Sequence, residues 1–552
     1  MHNDGPIGGG WRGVPTLLAL GIGLGLALFG RQLPAALSSA APEWRFSAGR
    51  AQQLLERIAR HPHPVQSAEH ECAREIIQAE LARLSPSIQV ETGRVNGVPL
   101  TNLLARFPGY DPTGTVLCVA HYDSVPTGPG AGDDGVGVSV WLEVLRTLRA
   151  RDWSPRNDVV ILLDDGEELG LLGAQLHVHE NRRLHEVAAV VNLEAIGNGG
   201  PAILFQLGPR NAGRVETYRR EVADPAGTSL AEAIYELLPN DTDLSVFLKE
   251  GIRGFNLALS CGSAAYHAPH DTPENLDPRS VQHMGESALA LLTALGDQDL
   301  TPRATSSVSF LDLVGRDFLV WPRRLDAVLV SLALVATGVI WSRAGRAWHE
   351  LARSVVSHGW RSLLAGLACA LAFFLLDRSL SLVTPPLPWV AGNTTSAALL
   401  FAALVLGLAG VRGRSREEAH SSQEDALAVW SLGAGLALLT APGASFALAV
   451  PALLAGAGRL APALVSRLCC AAALAFGLPL LHLVFQLLAK RPELALTLMG
   501  AVGASGTRLF AIEFASLGRA QGRLLLFGAG LTGAGALFVA RVLGWRFGAL
   551  WP

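Results

Sequence analysis

Apolar and polar positions divide the 552-residue chain into three kinds of pattern. Residues 14–30, VPTLLALGIGLGLALFG, form one uncharged apolar run, long enough for a membrane span. From about residue 44 to 300 the patterns are short and mixed. RAQQLLERIARHPHPVQSAEHECAREIIQAELARL (50–84) carries helical spacing on both sides of a His-Pro break. TNLLARFPG (101–109) and TVLCVAHYD (115–123) predict neighbouring strands joined by a GYDPTG turn. VSVWLEVLRTLRA (138–150) predicts a helix with one apolar face. DVVILLDDGEELGLLGAQLHVHE (158–180) reads as strand, acidic turn and helix. VAAVVNLEAIGNGG (187–200) reads as strand, acid and glycine-rich loop, and GFNLALSCG (254–262) as a further strand. Strands alternating with helices predict an α/β sandwich with ligands on loops at strand ends.

The third pattern begins near residue 325. Apolar runs recur at 325–341, 362–376, 396–411, 426–441, 444–457, 468–488, 493–507 and 524–540, which predicts about eight spans in an all-α membrane region. The chain is expected to divide into a tail with a first anchor (1–43), a globular domain (44–300), a linker (301–324) and a C-terminal membrane region (325–552). The first run is expected to be retained, because its flank is long and weakly basic, although LSSAAP offers small residues for cleavage. Basic residues set the orientation. With the globular domain outside, the inward-facing segments carry twelve arginines against five basic residues outside. The globular domain is therefore expected on the non-cytoplasmic side, with Arg323 and Arg324 running against the trend.

Composition agrees with a membrane protein: 50% of residues are hydrophobic and only 16% charged. A net charge of −3 gives no electrostatic argument for nucleic acid. Lys249 and Lys490 are the only lysines, a bias that reads as GC-rich coding and a bacterial source, with the site facing the periplasm or exterior; the endoplasmic reticulum lumen is the alternative. The six cysteines show no CxxC spacing, so neither a zinc ribbon nor a disulfide framework is expected, and one pair among Cys72, Cys118 and Cys261 stays open.

The chemistry sits at the strand ends. VLCVAHYDSVPTGPGAGDDGVG (116–137) delivers His121 and Asp123, then a Pro/Gly loop, then Asp133 and Asp134 at the start of a helix. Glu167 and Glu168 follow one strand and Glu194 another, while SAAYHAPHDT supplies Tyr266, His267 and Asp271. Three carboxylates and two imidazoles suit zinc, and an adjacent acid pair can divide its labour between binding metal and acting as base.

The ordered set of HPHPVQSAEHECAREII, NLLARFPG, VAHYDSVPTGPGAGDDGVG, DDGEELGLLGAQ, VVNLEAIGNGGPAILFQLGP, PNDTDLSVF and YHAPHDTPENL, spanning roughly residues 60–280, resembles the di-zinc aminopeptidases of metallopeptidase family 28. The likeness is strongest to their multi-span membrane branch, typified by the endoplasmic reticulum metallopeptidase. The resemblance implies a three-layer α/β/α zinc-exopeptidase domain with a mixed central sheet. It implies two zinc ions, a peptide substrate and a bilayer around the C-terminal half. His121 and Glu194 would hold one zinc, Glu168 and His267 the other, and Asp133 would bridge them. Glu167 would be the general base toward the bridging water, Asp123 would fix the tautomer of His121, and Tyr266 would donate to the oxyanion. A cis peptide would follow the bridging acid, at Asp133–Asp134. Many soluble members use Asp where this chain has Glu194; the membrane branch uses Glu.

Other histidines and motifs are read as structural. His61 and His63 each precede a proline and are expected on a surface turn or cleft rim, and His177 and His179 on a helix surface. GASG at 503–506 reads as small-residue helix packing, and His482 stays unassigned. Asn240 and Asn393 stand in N-x-T sequons. Two rivals to an aminopeptidase are glutaminyl cyclase-like acyl transfer, which related single-zinc proteins perform, and an inert scaffold or chaperone on the same fold.

Overall fold

The computed structural model describes residues 32–361, apart from 86, 238–240, 263–264, 302–305, 314, 316, 348 and 359, together with 364, 416–460 and 469. The apolar runs at 14–30, 362–376, 396–411, 468–488, 493–507 and 524–540, the GASG motif, His482 and both sequons lie outside the described residues. The chain divides into two compact units, one of them Gln32–Pro322.

That unit is built on a seven-stranded mixed sheet. Its strands are β1 (Ile88–Val95), β2 (Val98–Phe107), β3 (Thr115–His121), β4 (Asp158–Asp164), β5 (Val187–Ala195), β6 (Gly199–Gln206) and β7 (Gly254–Cys261). Their order is β1-β2-β4-β3-β5-β7-β6. The central β4, β3, β5 and β7 are parallel, and antiparallel strands close both edges. The chain leaves β3 for β4 on one side and then crosses to β5 on the other. The strand order therefore reverses at β3, and the crevice beyond its carboxyl end is where open α/β sheets bind ligands.

Strand periodicity explains why the central strands read as unbroken apolar runs. Val116, Cys118 and Ala120 face the larger core, with Val159, Ile161 and Leu163 of β4. Leu117 and Val119 face the other side, with Val160 and Leu162. The larger core is covered by α1 (Ala48–Ile58), α2 (Ala68–Leu84), α3 (Val136–Ala150) and α8 (Pro278–Asp297). The smaller one packs under α4 (Leu172–Glu180) and α7 (Asp243–Lys249). Two further helices are α5 (Ala212–Glu221) and α6 (Ser229–Leu237). The result is the expected three-layer α/β/α arrangement. α3, which follows the Asp133–Asp134 turn, is pinned to β3 by Trp141, whose indole N–H donates to the Val119 carbonyl at 3.0 Å.

Segment 301–324 is not a bare linker. It contains an antiparallel hairpin, β8 (Val308–Leu313) and β9 (Asp317–Pro322). Phe310 is fully buried in the larger core, Asn211 pairs with the backbone of Val308 at both ends of its amide, and Leu311 bridges to Thr228. Val308, Ser309, Phe310 and Leu311 are all buried, and this burial draws β8 onto the globular domain. The three cysteines left open for pairing, Cys72, Cys118 and Cys261, form no disulfide with one another.

In the second unit, α9 (Arg324–Arg343), α10 (Arg416–Thr440) and α11 (Ser445–Leu460) pack together around Val330, Ala434 and Ala449. The Thr337 hydroxyl donates to that of Ser431 at 2.8 Å between α9 and α10. Val328, Leu332, Val335 and Val339 form an exposed apolar stripe along α9. Among the described residues α9 is the one helix long and apolar enough to cross a membrane.

Candidate metal centre

Each candidate side chain stands at a carboxyl-terminal strand end or on the loop after it. His121 is the last residue of β3 and continues the face of Leu117 and Val119. Glu167 and Glu168 form a single 3-10 turn after β4, entered and left through left-handed glycines, Gly166 (φ +75°) and Gly170 (φ +108°). Glu194 is near the end of β5, and Tyr266 and His267 follow β7. Asp133 and Asp134 lie in the turn before α3, joined by a cis peptide bond. His267 takes a left-handed φ of +54°, unusual for a residue with a Cβ.

The sheet brings these residues together in two overlapping groups. One donor atom each from His121, Asp133 and Glu194 lie within 4.8 Å of one another, and so do atoms of Asp133, Glu168 and His267. Asp133 belongs to both. Its Oδ1 lies 3.4 Å from His121 Nε2 and its Oδ2 3.1 Å from His267 Nε2. Glu168 Oε2 is 3.0 Å from His267 Nε2. Glu194 Oε2 and Glu167 Oε2 each lie 3.9 Å from His121 Nε2. Asp134, by contrast, turns away: its Oδ1 accepts the Gly137 N–H at 3.1 Å and caps α3.

Asp123 ties the pieces together. Its carboxylate is 3.3 Å from His121 Nδ1, accepts the N–H of Glu167 at 3.0 Å and accepts that of Glu168 at 3.3 Å. One buried acid thus orients the imidazole and fixes the turn that carries both glutamates. Tyr266 stacks on His267, ring centroids 3.7 Å apart.

The electrostatics are those of crowded, desolvated charge. Burial pushes Glu167, Glu168 and Glu194 above the usual carboxylate range, and neighbouring acids add to the effect. Burial opposes charging of His121, yet the carboxylates of Asp123, Asp133 and Glu167 outweigh it and hold the imidazole well above its ordinary range. His267 likewise overcomes its burial through Asp133 and Glu168 and is raised to about 9. Asp133 is held down by the two imidazoles against the same penalty. Burial, reinforced by Asp133 and Glu168, raises Tyr266, so its hydroxyl stays a donor at neutral pH.

Residues 102–292 match the family model of Peptidase family M28. This stretch is an M28 peptidase domain. Among similar curated proteins, endoplasmic reticulum metallopeptidase 1 of Homo sapiens is 30% identical over 249 residues, 44% of this chain and 27% of that one. Putative endoplasmic reticulum metallopeptidase 1-A of Caenorhabditis elegans is 34% identical over 36% of this chain and 22% of its own. A vacuolar membrane protease of Yarrowia lipolytica is 26% identical over 51% of this chain and 31% of its own. The chain thus spans between about a fifth and a third of the length of these relatives. Similar solved structures include a zinc aminopeptidase from Bacillus subtilis, at 15% identity and TM-score 0.39, covering 50% of this chain and 98% of that one. Another is the glutaminyl cyclase of Porphyromonas gingivalis, at 22% identity and TM-score 0.38, covering 45% and 98%.

Next to the candidate centre the M28 domain carries polar residues that the sequence pattern did not single out. An amide ladder crosses β5, β7 and β6. The Asn192 amide donates to Glu194 Oε1 at 3.2 Å and to Asn256 Oδ1 at 3.0 Å. Asn256 in turn donates to Gln206 Oε1 at 2.9 Å and to the Thr242 hydroxyl at 2.7 Å. Behind the Glu167 turn, His70 Nε2 pairs with Asp165 at 2.8 Å and stacks on Tyr122. Asp164 and Asp243 are fully buried acids that burial pushes up, Asp243 to about 7. An isolated polar residue inside an apolar strand, as in VVNLEA and GFNLAL, was the available signal.

Two histidines differ from expectation. His177 is buried, not on a surface: its Nδ1 lies 3.2 Å from the Glu91 carboxylate, its Nε2 accepts from Asn181, and its ring meets Phe247 edge-on. A carboxylate on the facing β1 makes that burial affordable, and His179 does lie exposed. His63 is also buried, its backbone joined to Ser124 in both directions and its Nδ1 donating to the His61 carbonyl at 2.9 Å.

Proposed function

We propose that the protein is a membrane-anchored di-zinc aminopeptidase that hydrolyses N-terminal peptide bonds. The observation that carries this reading is the pair of three-donor groups sharing Asp133, with Glu167 beside them. The donor set fits zinc: ligands on one tetrahedral ion with bonds of about 2.0–2.2 Å sit roughly 3.4 Å apart, which is the scale of the spacings here. Asp133 Oδ2, Glu168 Oε1 and His267 Nε2 are buried yet complete no hydrogen bond, as expected of atoms aimed at a cation. His121 and Glu194 would hold one zinc, Glu168 and His267 the second, with Asp133 common to both.

When bound, the two ions supply Lewis acidity and neutralise the crowded carboxylates. Glu167, held by Asp123 through its backbone N–H, takes the proton from the attacking water and returns it to the leaving amine. Its raised proton affinity suits both transfers. Asp123 keeps the Nδ1 proton on His121, leaving Nε2 free as a donor of electrons. The Tyr266 phenol donates toward the oxygen that becomes negative at the scissile carbonyl.

Anchoring by a multi-span C-terminal region is part of the same proposal, supported by the apolar α9 and by the arginine distribution. That distribution favours a catalytic domain facing away from the cytoplasm. Glu167→Gln should lower turnover of aminoacyl fluorogenic peptides by at least about 10²-fold, the scale of general-base catalysis, with zinc near two per chain. Activity surviving in that variant would refute the mechanism, and cyclisation of Gln-peptides without hydrolysis would refute the activity.

A further inference from the structure

We infer that Asp271 is a positioning residue that holds the shared ligand Asp133 in register with His267. The inference rests on the dinuclear reading proposed above. Asp271 stands four residues after His267 and is only 3% exposed. It receives three consecutive backbone N–H groups from the turn that carries Asp133. Its carbonyl accepts from Ala131 at 3.2 Å, its Oδ1 from Gly132 at 2.6 Å and its Oδ2 from Asp133 at 3.2 Å. Both carboxylate oxygens are therefore occupied as acceptors from a turn 138 to 139 residues away in sequence.

The fit leaves no slack. A Cβ on Gly132 would lie 2.9 Å from Asp271 Oδ1 and 2.9 Å from the Gly197 carbonyl oxygen, so the approach requires glycine at that position. The same two loops are fastened at a second point. The Thr127 hydroxyl donates to the His267 carbonyl at 2.9 Å, and a Cβ on Gly128 would meet the Ala268 carbonyl oxygen at 2.6 Å. Within its own loop Asp271 N–H returns to the Ala268 carbonyl at 3.0 Å. The loop 127–133 and the loop 265–271 are thus laced together around the one contact where Asp133 and His267 meet at 3.1 Å. Asp123 secures the Glu167–Glu168 turn, and Asp271 secures the Asp133 turn.

Asp271→Asn is the discriminating change. Its shape is kept, but one acceptor oxygen becomes an NH₂ that faces the Gly132 or Asp133 N–H, so one clamp bond becomes a donor–donor repulsion. The full-length protein in detergent is stripped of metal and titrated with Co(II), read by its visible absorption, alongside thermal unfolding of the apo form and peptide kinetics. The positioning role predicts that the weaker Co(II) equivalent binds about 10–100-fold less tightly in the variant, with an altered band shape. It also predicts a fall in kcat of similar size with KM within about twofold. A variant with wild-type Co(II) affinities and spectrum overturns the inference, even if its unfolding midpoint falls, because Asp271 would then only close a loop. Should Asp271→Asn fail to fold, Thr127→Val removes the exposed hydroxyl bond to the His267 carbonyl and must shift the same Co(II) step; an unshifted step overturns the lacing. Wild-type protein that takes up no Co(II) refutes the dinuclear reading itself, and this inference falls with it.

Discussion

Replacing Asn256 by Leu should strip three hydrogen bonds from the amide ladder at once. Asn256 accepts from Asn192 and donates to Gln206 and Thr242, and it is fully buried. Thr242 keeps a second partner in Tyr235, 3.3 Å away, so it loses least. One Asn192 N–H and Gln206 Oε1 are left without a partner in dry surroundings. At about 1–3 kcal/mol for each orphaned group, the loss is about 2–6 kcal/mol. Extra apolar burial by leucine returns roughly 1.5–3 kcal/mol at most. The expected net destabilisation is about 2 kcal/mol, a sizeable part of the roughly 5–15 kcal/mol that holds an ordinary domain folded. Pulse proteolysis of the full-length protein across a urea series reads the unfolding midpoint of the M28 domain directly. Pairing the change with Asn192→Leu gives a cycle in which the double variant should cost about 1–3 kcal/mol less than the sum of the singles. Additive costs, or a single-variant loss below about 0.5 kcal/mol, would show that the amides do not act as a connected network.

Two further predictions concern neighbouring features. Burial lowers the His63 pKa below its ordinary 6.5, against the opposing bond to His61, so the unfolded chain takes up a proton that the folded domain resists. Stability should be full above about pH 6.5 and fall as the pH drops below it, and the slope in thermal midpoint between pH 7.5 and 5.5 should flatten in His63→Gln; an unchanged slope would contradict this. A Cβ on Gly173 would stand 2.4 Å from the Asp165 carbonyl oxygen and 2.8 Å from Asn102 Oδ1, so Gly173→Ala should lift α4 off the Glu167 turn. The expected cost is about 1–3 kcal/mol in urea unfolding, accompanied by weaker peptidase activity, and a neutral result would mean the turn is not braced there.

The sheet was legible because its central strands are buried on both faces. VLCVA and VVILL are therefore continuous apolar runs that end in a polar residue, and that abrupt ending marks both the strand terminus and the candidate donor. The gathering of His121, Asp133, Glu168, Glu194 and His267 follows from parallel strands, which present all their carboxyl ends on one edge. The ladder was not legible in the same way. Asn192 and Asn256 look like interruptions in separate strands, and only pairing across β5 and β7 makes them partners. His177 was missed for a related reason, since its partner Glu91 arrives from β1, 86 residues distant in sequence. The β8–β9 hairpin was lost beside the apolar runs that follow it, because VSFLDL is short and its adjacent Phe310 and Leu311 break the alternation of a half-buried strand.

The strand order also sets a timetable for synthesis. His121 and Asp133 are close in sequence, but His267 follows β7, which pairs with β5 and β6 only after more than two hundred residues have been made. A growing chain therefore exposes acids and one imidazole long before it can close the second three-donor group. Asp133 must wait for the loop after β7 to gain both its second histidine neighbour, His267, and its backbone anchor, Asp271. A nascent or truncated chain ending before residue 265 would lack a complete centre. On the proposed reading, the two three-donor groups are complete only once the sheet is finished.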